Sequence, residues 1–173
     1  MNFQAAMLTL RLVHIVAGIC WAGSAVVLAA YVLPAARATG TAGGRVLHEL
    51  VQRRRLARSF MLSSLITIAS GIAMYSMIGA GSYRAWMTSP MGSTLAIGAI
   101  AAIAAALIGG GVVGPAVNRL VQLGIAAASP SVRSTPEHAA ETRRIQKRLG
   151  VSSTISAVLL LIAVSAMALA RYL

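Results

Sequence analysis

The chain has 173 residues, of which 58% are hydrophobic and only 10% charged, and its mean hydropathy is +0.80. That balance excludes an ordinary water-soluble domain and points to lipid as the solvent. The formal charge of +12, from 15 basic and 3 acidic residues, would suit nucleic acid. However, the basic residues lie between apolar blocks, without an aromatic platform or a groove-reading helix, so no nucleic-acid partner is expected.

About 20 helical residues cross the roughly 30 Å of hydrocarbon in a bilayer, and the sequence holds four apolar blocks of that order. The expected fold is all-α: an integral membrane four-helix up-and-down bundle, with residues 1–173 forming a single domain. The first span covers about 5–33. It is too long for a signal peptide and lacks a cationic start and a cleavage site, so it reads as a retained helix. Pro34 should end it, because proline cannot comfortably continue a helix interior. Cys20 lies inside it with no intrachain partner and reads as a buried small hydrophobe.

The loop at 34–59 carries Arg37, Arg45, Arg53, Arg54, Arg55 and Arg58. Helical spacing of Val46, Leu47, Leu50, Val51 and Leu56 predicts an interfacial extension of the next helix, in which Glu49 can pair with Arg45 or Arg53. The second span, about 60–78, leads into a short Gly/Ser/Pro-rich loop whose Tyr83, Arg84 and Trp86 suit a headgroup zone. In the third span, about 91–117, Gly110 and Gly114 permit close approach of another backbone, and Pro115 bends or ends the helix.

In the loop at 118–150, Thr135, Pro136 and Glu137 form a helix start, and Gly150 reads as a stop or bend. The fourth span, about 151–170, sets Ser152, Ser153, Ser156 and Ser165 beside alanines, which allows close packing on two sides. The first and third loops carry six basic residues each, against Arg84 alone in the second. The positive-inside rule therefore places both long loops in the cytoplasm and both termini outside. Those loops should also favour anionic lipid headgroups.

The segment Arg11-Leu-Val-His14-Ile-Val-Ala-Gly18-Ile-Cys20-Trp21-Ala-Gly23 puts two ionisable side chains inside an apolar helix, where polar groups are expensive and usually functional. His14, Gly18 and Trp21 share one face, with Gly18 leaving space beside the imidazole and Trp21 walling the pocket. Arg11, one turn nearer the outer surface, could set the charge around His14 or bind a carboxylate or propionate. The plainer alternative is that Arg11 snorkels to headgroups and His14 hydrogen-bonds a facing serine or carbonyl.

Met74 and Met77 near the outer end of span two, with Met87 and Met91 around the outer loop, could complete a soft Cu(I) site with His14, or simply pack in lipid. His48 with Glu49, and His138 with Glu141, could form a hard metal site between the loops. Solvated ion pairs with the neighbouring arginines explain those glutamates more simply. No span contains an acidic residue, which argues against a proton-coupled transporter. Without a nucleophile motif or a phosphate loop, an enzyme is the less expected class.

The pattern of His14, Gly18, Trp21 and Gly23 resembles that of the copper resistance D superfamily, which includes small four-helix membrane proteins. It is also similar to the membrane part of cytochrome-linked urate oxidases and, more distantly, to bacterial membrane protoporphyrinogen oxidases. Gly71 and the stretch Gly114-Pro115-Ala-Val-Asn118-Arg119-Leu120 add similarity of the same kind. The resemblance implies a protein of the bacterial cytoplasmic (inner) membrane that handles haem b or copper, with a redox or metal-handling role and His14 as the carried-over ligand. Relatives with b-type haem use several intramembrane histidines, whereas here His48 and His138 fall in the loops. One chain therefore does not easily supply two axial imidazoles. The competing reading is a non-catalytic accessory subunit, packing as a homo-oligomer or against a larger respiratory or photosynthetic complex through its glycine-rich third helix.

Overall fold

The computed structural model describes residues 2–127 and 136–173. Those residues are almost wholly helical, with no strand among them. Four continuous runs, Phe3–Ala38, Leu56–Gly81, Pro90–Ile125 and Pro136–Tyr172, are long and apolar enough to cross a membrane. Their outward side chains are apolar too: Leu8 is 73% and Leu107 70% exposed. Such a surface fits lipid and would be a liability in water.

Helix α1 (Phe3–Val27) starts at Asn2, whose side-chain oxygen accepts the Ala5 N–H at 2.8 Å, satisfying one of the orphan donors of a first turn. Contrary to the sequence expectation, Pro34 does not end the helix. A π-turn at Leu28–Val32, closed by the Leu33 N–H reaching back to the Leu28 carbonyl, carries it into α2 (Leu33–Ala38). A proline cannot donate to the carbonyl four residues back and crowds it, and a widened turn just upstream makes room. The same device recurs in the third run. There a π-turn at Gly109–Val113, closed by the Gly114 N–H on the Gly109 carbonyl, precedes Pro115 and joins α6 (Pro90–Ile108) to α7 (Gly114–Ala127).

Gly40, at φ +56°, turns the chain from α2 into α3 (Thr41–His48), and Gly43 seats directly on the backbone of Ala36. A π-turn at Glu49–Arg53 follows. Arg55 then takes the left-handed conformation, φ +52°, immediately before α4 (Leu56–Ile78). The basic segment is therefore a separate helix rather than an extension of α4, since a left-handed residue breaks helical continuity. Glu49 pairs there with Arg53 and Arg54, each at 3.6 Å, and not with Arg45.

After α4, the short α5 (Tyr83–Thr88) stacks Tyr83 and Trp86 on Tyr75, whose hydroxyl donates to the Gly92 carbonyl at 3.2 Å. Ser89 caps α6 by accepting the Gly92 N–H, with Pro90 at its first position. The long α8 (Pro136–Leu169) runs unbroken through Gly150. The helix does not stop at that glycine: the Arg37 guanidinium lies over it and donates to the Gln146 carbonyl at 2.5 Å, and a Cβ at 150 would stand 2.6 Å from Arg37 Nη2, so the guanidinium would have to shift. Thr135 and Arg133 lie outside the described residues.

Helix α1 packs on α4 and α6 on α8, and the pairs meet around Trp21, Ala101, Ala102, Ala105, Leu160 and Ala163. A second cluster of Leu33, Ala116, Val117 and Leu149 closes the end that carries the basic segments. The close backbone approach expected at Gly110 and Gly114 occurs instead at Gly98. A Cβ built there would come within 3.2 Å of both the Ala163 carbonyl and the Ala166 methyl, whereas one at Gly109, Gly110 or Gly111 meets nothing. Ser156 adds a hydroxyl bond to the Ala105 carbonyl at 3.1 Å between the same two helices. On α8, Ser153, Ser156, Ala157 and Ala163 are buried, while Ser165 and Ala168 face outward.

Candidate functional site at His14

Helix α1 presents His14 to α4 at the level of Thr67, Ser70 and Gly71. The Nδ1 atom lies 2.8 Å from the Thr67 carbonyl oxygen and 3.2 Å from the Ser70 hydroxyl oxygen. The Ser70 hydroxyl directs its own proton back along α4, with the Ile66 carbonyl at 2.6 Å and the Thr67 carbonyl at 3.1 Å. Both partners of Nδ1 are therefore acceptors, so Nδ1 carries a proton and donates it. In the neutral ring that leaves the Nε2 lone pair unprotonated. Fixing one imidazole nitrogen on a backbone carbonyl is the usual way that proteins orient the other as a metal ligand.

Space for the ring comes from α4. A Cβ built at Gly71 would lie 2.9 Å from Cε1 and 3.3 Å from Nδ1, so only glycine lets the imidazole sit there. Gly18, to which the sequence reading gave that task, rests against the Thr67 methyl: a built Cβ would meet it at 3.7 Å, an ordinary contact. Trp21 is 5% exposed and fills the junction with α6 and α8. Arg11 is exposed and makes no ion pair among the described residues. Met74 and Met77, both half-buried, follow Ser70 on α4 by four and seven residues, the spacing of one helix face. Cys20, expected to be buried, is exposed on the bundle surface.

The other two histidines stand apart from His14. His48 precedes the start of α4, and Gly71, which marks the level of His14, lies fifteen residues into that helix, roughly 22 Å along its axis. His138 lies in the first turn of α8, on the same side as the basic segments. Glu141 holds Arg119 through Nε at 2.9 Å and Nη2 at 2.8 Å, which ties α7 to α8. Among the described residues no three His, Cys, Asp or Glu side chains gather as a metal site.

Comparison with protein-family models, curated proteins and solved structures finds no match. The functional reading therefore rests on the residues of this chain.

Thr67 and Ser70 were not singled out from the sequence, although a signal was present. Ser63, Thr67, Ser70 and Gly71 recur at helical spacing through an apolar span, a polar and small stripe that faces the histidine. Can these residues hold the group that the sequence resemblance implies? One imidazole held through Nδ1, on a helix pair that also carries Met74 and Met77, fits a single-histidine ligand set for haem iron or copper. It does not fit a bis-histidine haem within one chain.

Proposed function

We propose that this chain is a small integral protein of the bacterial cytoplasmic (inner) membrane, related to the copper resistance D group, that binds haem or copper through Nε2 of His14 and has a redox or metal-handling role. In this reading the four helices form an up-and-down bundle with both termini outside, as the basic loops favour. The observation that carries the proposal is the 2.8 Å contact between His14 Nδ1 and the Thr67 carbonyl, which leaves Nε2 as a Lewis base inside an apolar helix pair.

The chemistry supplied by the bound group is one-electron redox in the case of haem, or soft-metal binding in the case of copper. The chain's own part is to orient and exclude. The Thr67 carbonyl and Ser70 hold the proton on Nδ1, Gly71 sets the depth of the ring, and the apolar pair keeps water away. Met74, and beyond it Met77, are the residues that would supply the thioether of a His-Met set. Arg11 is the cation available to a propionate or other anionic group of the ligand.

The test is an absorption spectrum, oxidised and dithionite-reduced, of the chain purified gently from its native membrane, with metal analysis and a gel of co-purifying proteins. The expected result is a Soret band or stoichiometric copper that disappears in His14→Ala. If cofactor content is unchanged in that variant, the assignment fails, and the His14 contacts with Ser70 and Thr67 are packing alone. One observation favours the second reading, an accessory subunit: Gly109, Gly110 and Gly111 meet no neighbour within this chain, as a surface kept for a partner helix would. A colourless, metal-free chain that arrives with a large complex supports that reading.

A further inference from the structure

The polar-to-apolar boundary of α8 carries a feature that the histidine site leaves unused. Arg144, Lys147, Arg148 and Val151 recur at i, i+3, i+4 and i+7, so they share one helix face, and with Ser152 they line an open depression of about 370 Å³. None of the three cations has a carboxylate partner among the described residues. Glu141 is held by Arg119 and Glu49 by Arg53 and Arg54. Glu137, the remaining acidic residue, lies seven residues before Arg144, about 10 Å up the helix axis. The Arg37 guanidinium lies over Gly150 and donates to the Gln146 carbonyl.

Below the cations the same face turns apolar and stays exposed. Val151, Ile155, Val158 and Ile162 continue the stripe at helical spacing, and each faces outward. A cluster of unpaired cations set directly above an outward apolar track matches one kind of molecule. Its anionic head would meet the guanidinium and ammonium groups while its hydrocarbon chains lie along the helix. A soluble phosphate would use the first half of that surface and leave the second bare.

We infer that this face of α8 is a binding site for one anionic glycerophospholipid, with the phosphodiester held by Arg144, Lys147 and Arg148 and the acyl chains running along Val151, Ile155, Val158 and Ile162. Arginine forks suit the paired oxygens of a phosphodiester, and the lysine adds a point charge. The site does not depend on a metal or haem at His14.

Native mass spectrometry of the full chain, delipidated in mild detergent and titrated with dioleoylphosphatidylglycerol, dioleoylphosphatidylcholine or soluble glycerol 1-phosphate, tests it. The expected result is one phosphatidylglycerol retained per chain, with little retention of the other two. Arg148→Gln, which removes no hydrogen bond or ion pair among the described residues, should weaken phosphatidylglycerol about fivefold, and Arg144→Gln/Lys147→Gln/Arg148→Gln about a hundredfold. The control Arg53→Gln/Arg54→Gln/Arg58→Gln should keep wild-type affinity. Equal retention of phosphatidylcholine, equal binding of glycerol 1-phosphate, or an equal loss in the control overturns the site.

Discussion

His14 is held by residues that differ greatly in how much they can change. Gly71 faces the imidazole edge, and a methyl there would stand 2.9 Å from Cε1, whereas a methyl at Gly18 would stand 3.7 Å from the Thr67 methyl. Gly71→Ala should therefore push the ring off the Thr67 carbonyl. The expected cost is about 1–3 kcal/mol for the lost bond and the overpacking and, if His14 is the proposed ligand, at least a tenfold loss of metal or haem affinity. Gly18→Ala should be nearly neutral in both. Unfolding titrations and ligand titrations of the two variants check this, and equal effects would mean that the imidazole is not held as described. The motif residues were legible in the sequence; which glycine makes room for the ring was not, because that depends on the helix facing it.

At the scale of elements, the prolines and glycines of this chain do work that their positions alone do not announce. Pro34 and Pro115 sit just beyond π-turns that carry the helix past them, so each helical run extends several residues beyond its expected end. Gly98, not Gly110, is where α6 meets α8 backbone to side chain. Gly98→Leu should pry these helices apart and lower stability by about 1–3 kcal/mol, read as the shift in the detergent-denaturation midpoint of the helical circular dichroism signal. Gly110→Leu should leave that midpoint unchanged, since nothing lies within 4 Å of a Cβ there. If the chain docks on a larger complex through this helix, Gly110→Leu should instead release it from that complex. The two glycines thus separate internal packing from external docking.

The whole molecule divides its ends by chemistry. One end gathers α3, the start of α8 and most of the arginines; the other gathers Tyr75, Tyr83 and Trp86 around the turn into α6. In the proposed orientation the basic end faces the cytoplasm. In a Cys20→Ala background, Ser82→Cys should react with a membrane-impermeant maleimide in intact cells, and Thr39→Cys only after the membrane is opened. The reverse labelling pattern would invert the topology and put the basic face of α8 in the outer leaflet.

The sequence by itself determined that this is an all-helical chain with four apolar runs, where the charge lies along it, and that His14 is the ionisable group to examine, because hydropathy, charge spacing and an isolated polar residue are properties of the chain before it folds. Only the tertiary structure decided that Thr67 and Ser70 fix the imidazole proton, that Gly71 rather than Gly18 sets its depth, that Trp21 belongs to the central junction and that Gly150 seats Arg37. Each of these is a contact between residues distant in sequence. Helical periodicity states which residues share a face, but the rotation and register of the neighbouring helix decide what that face meets.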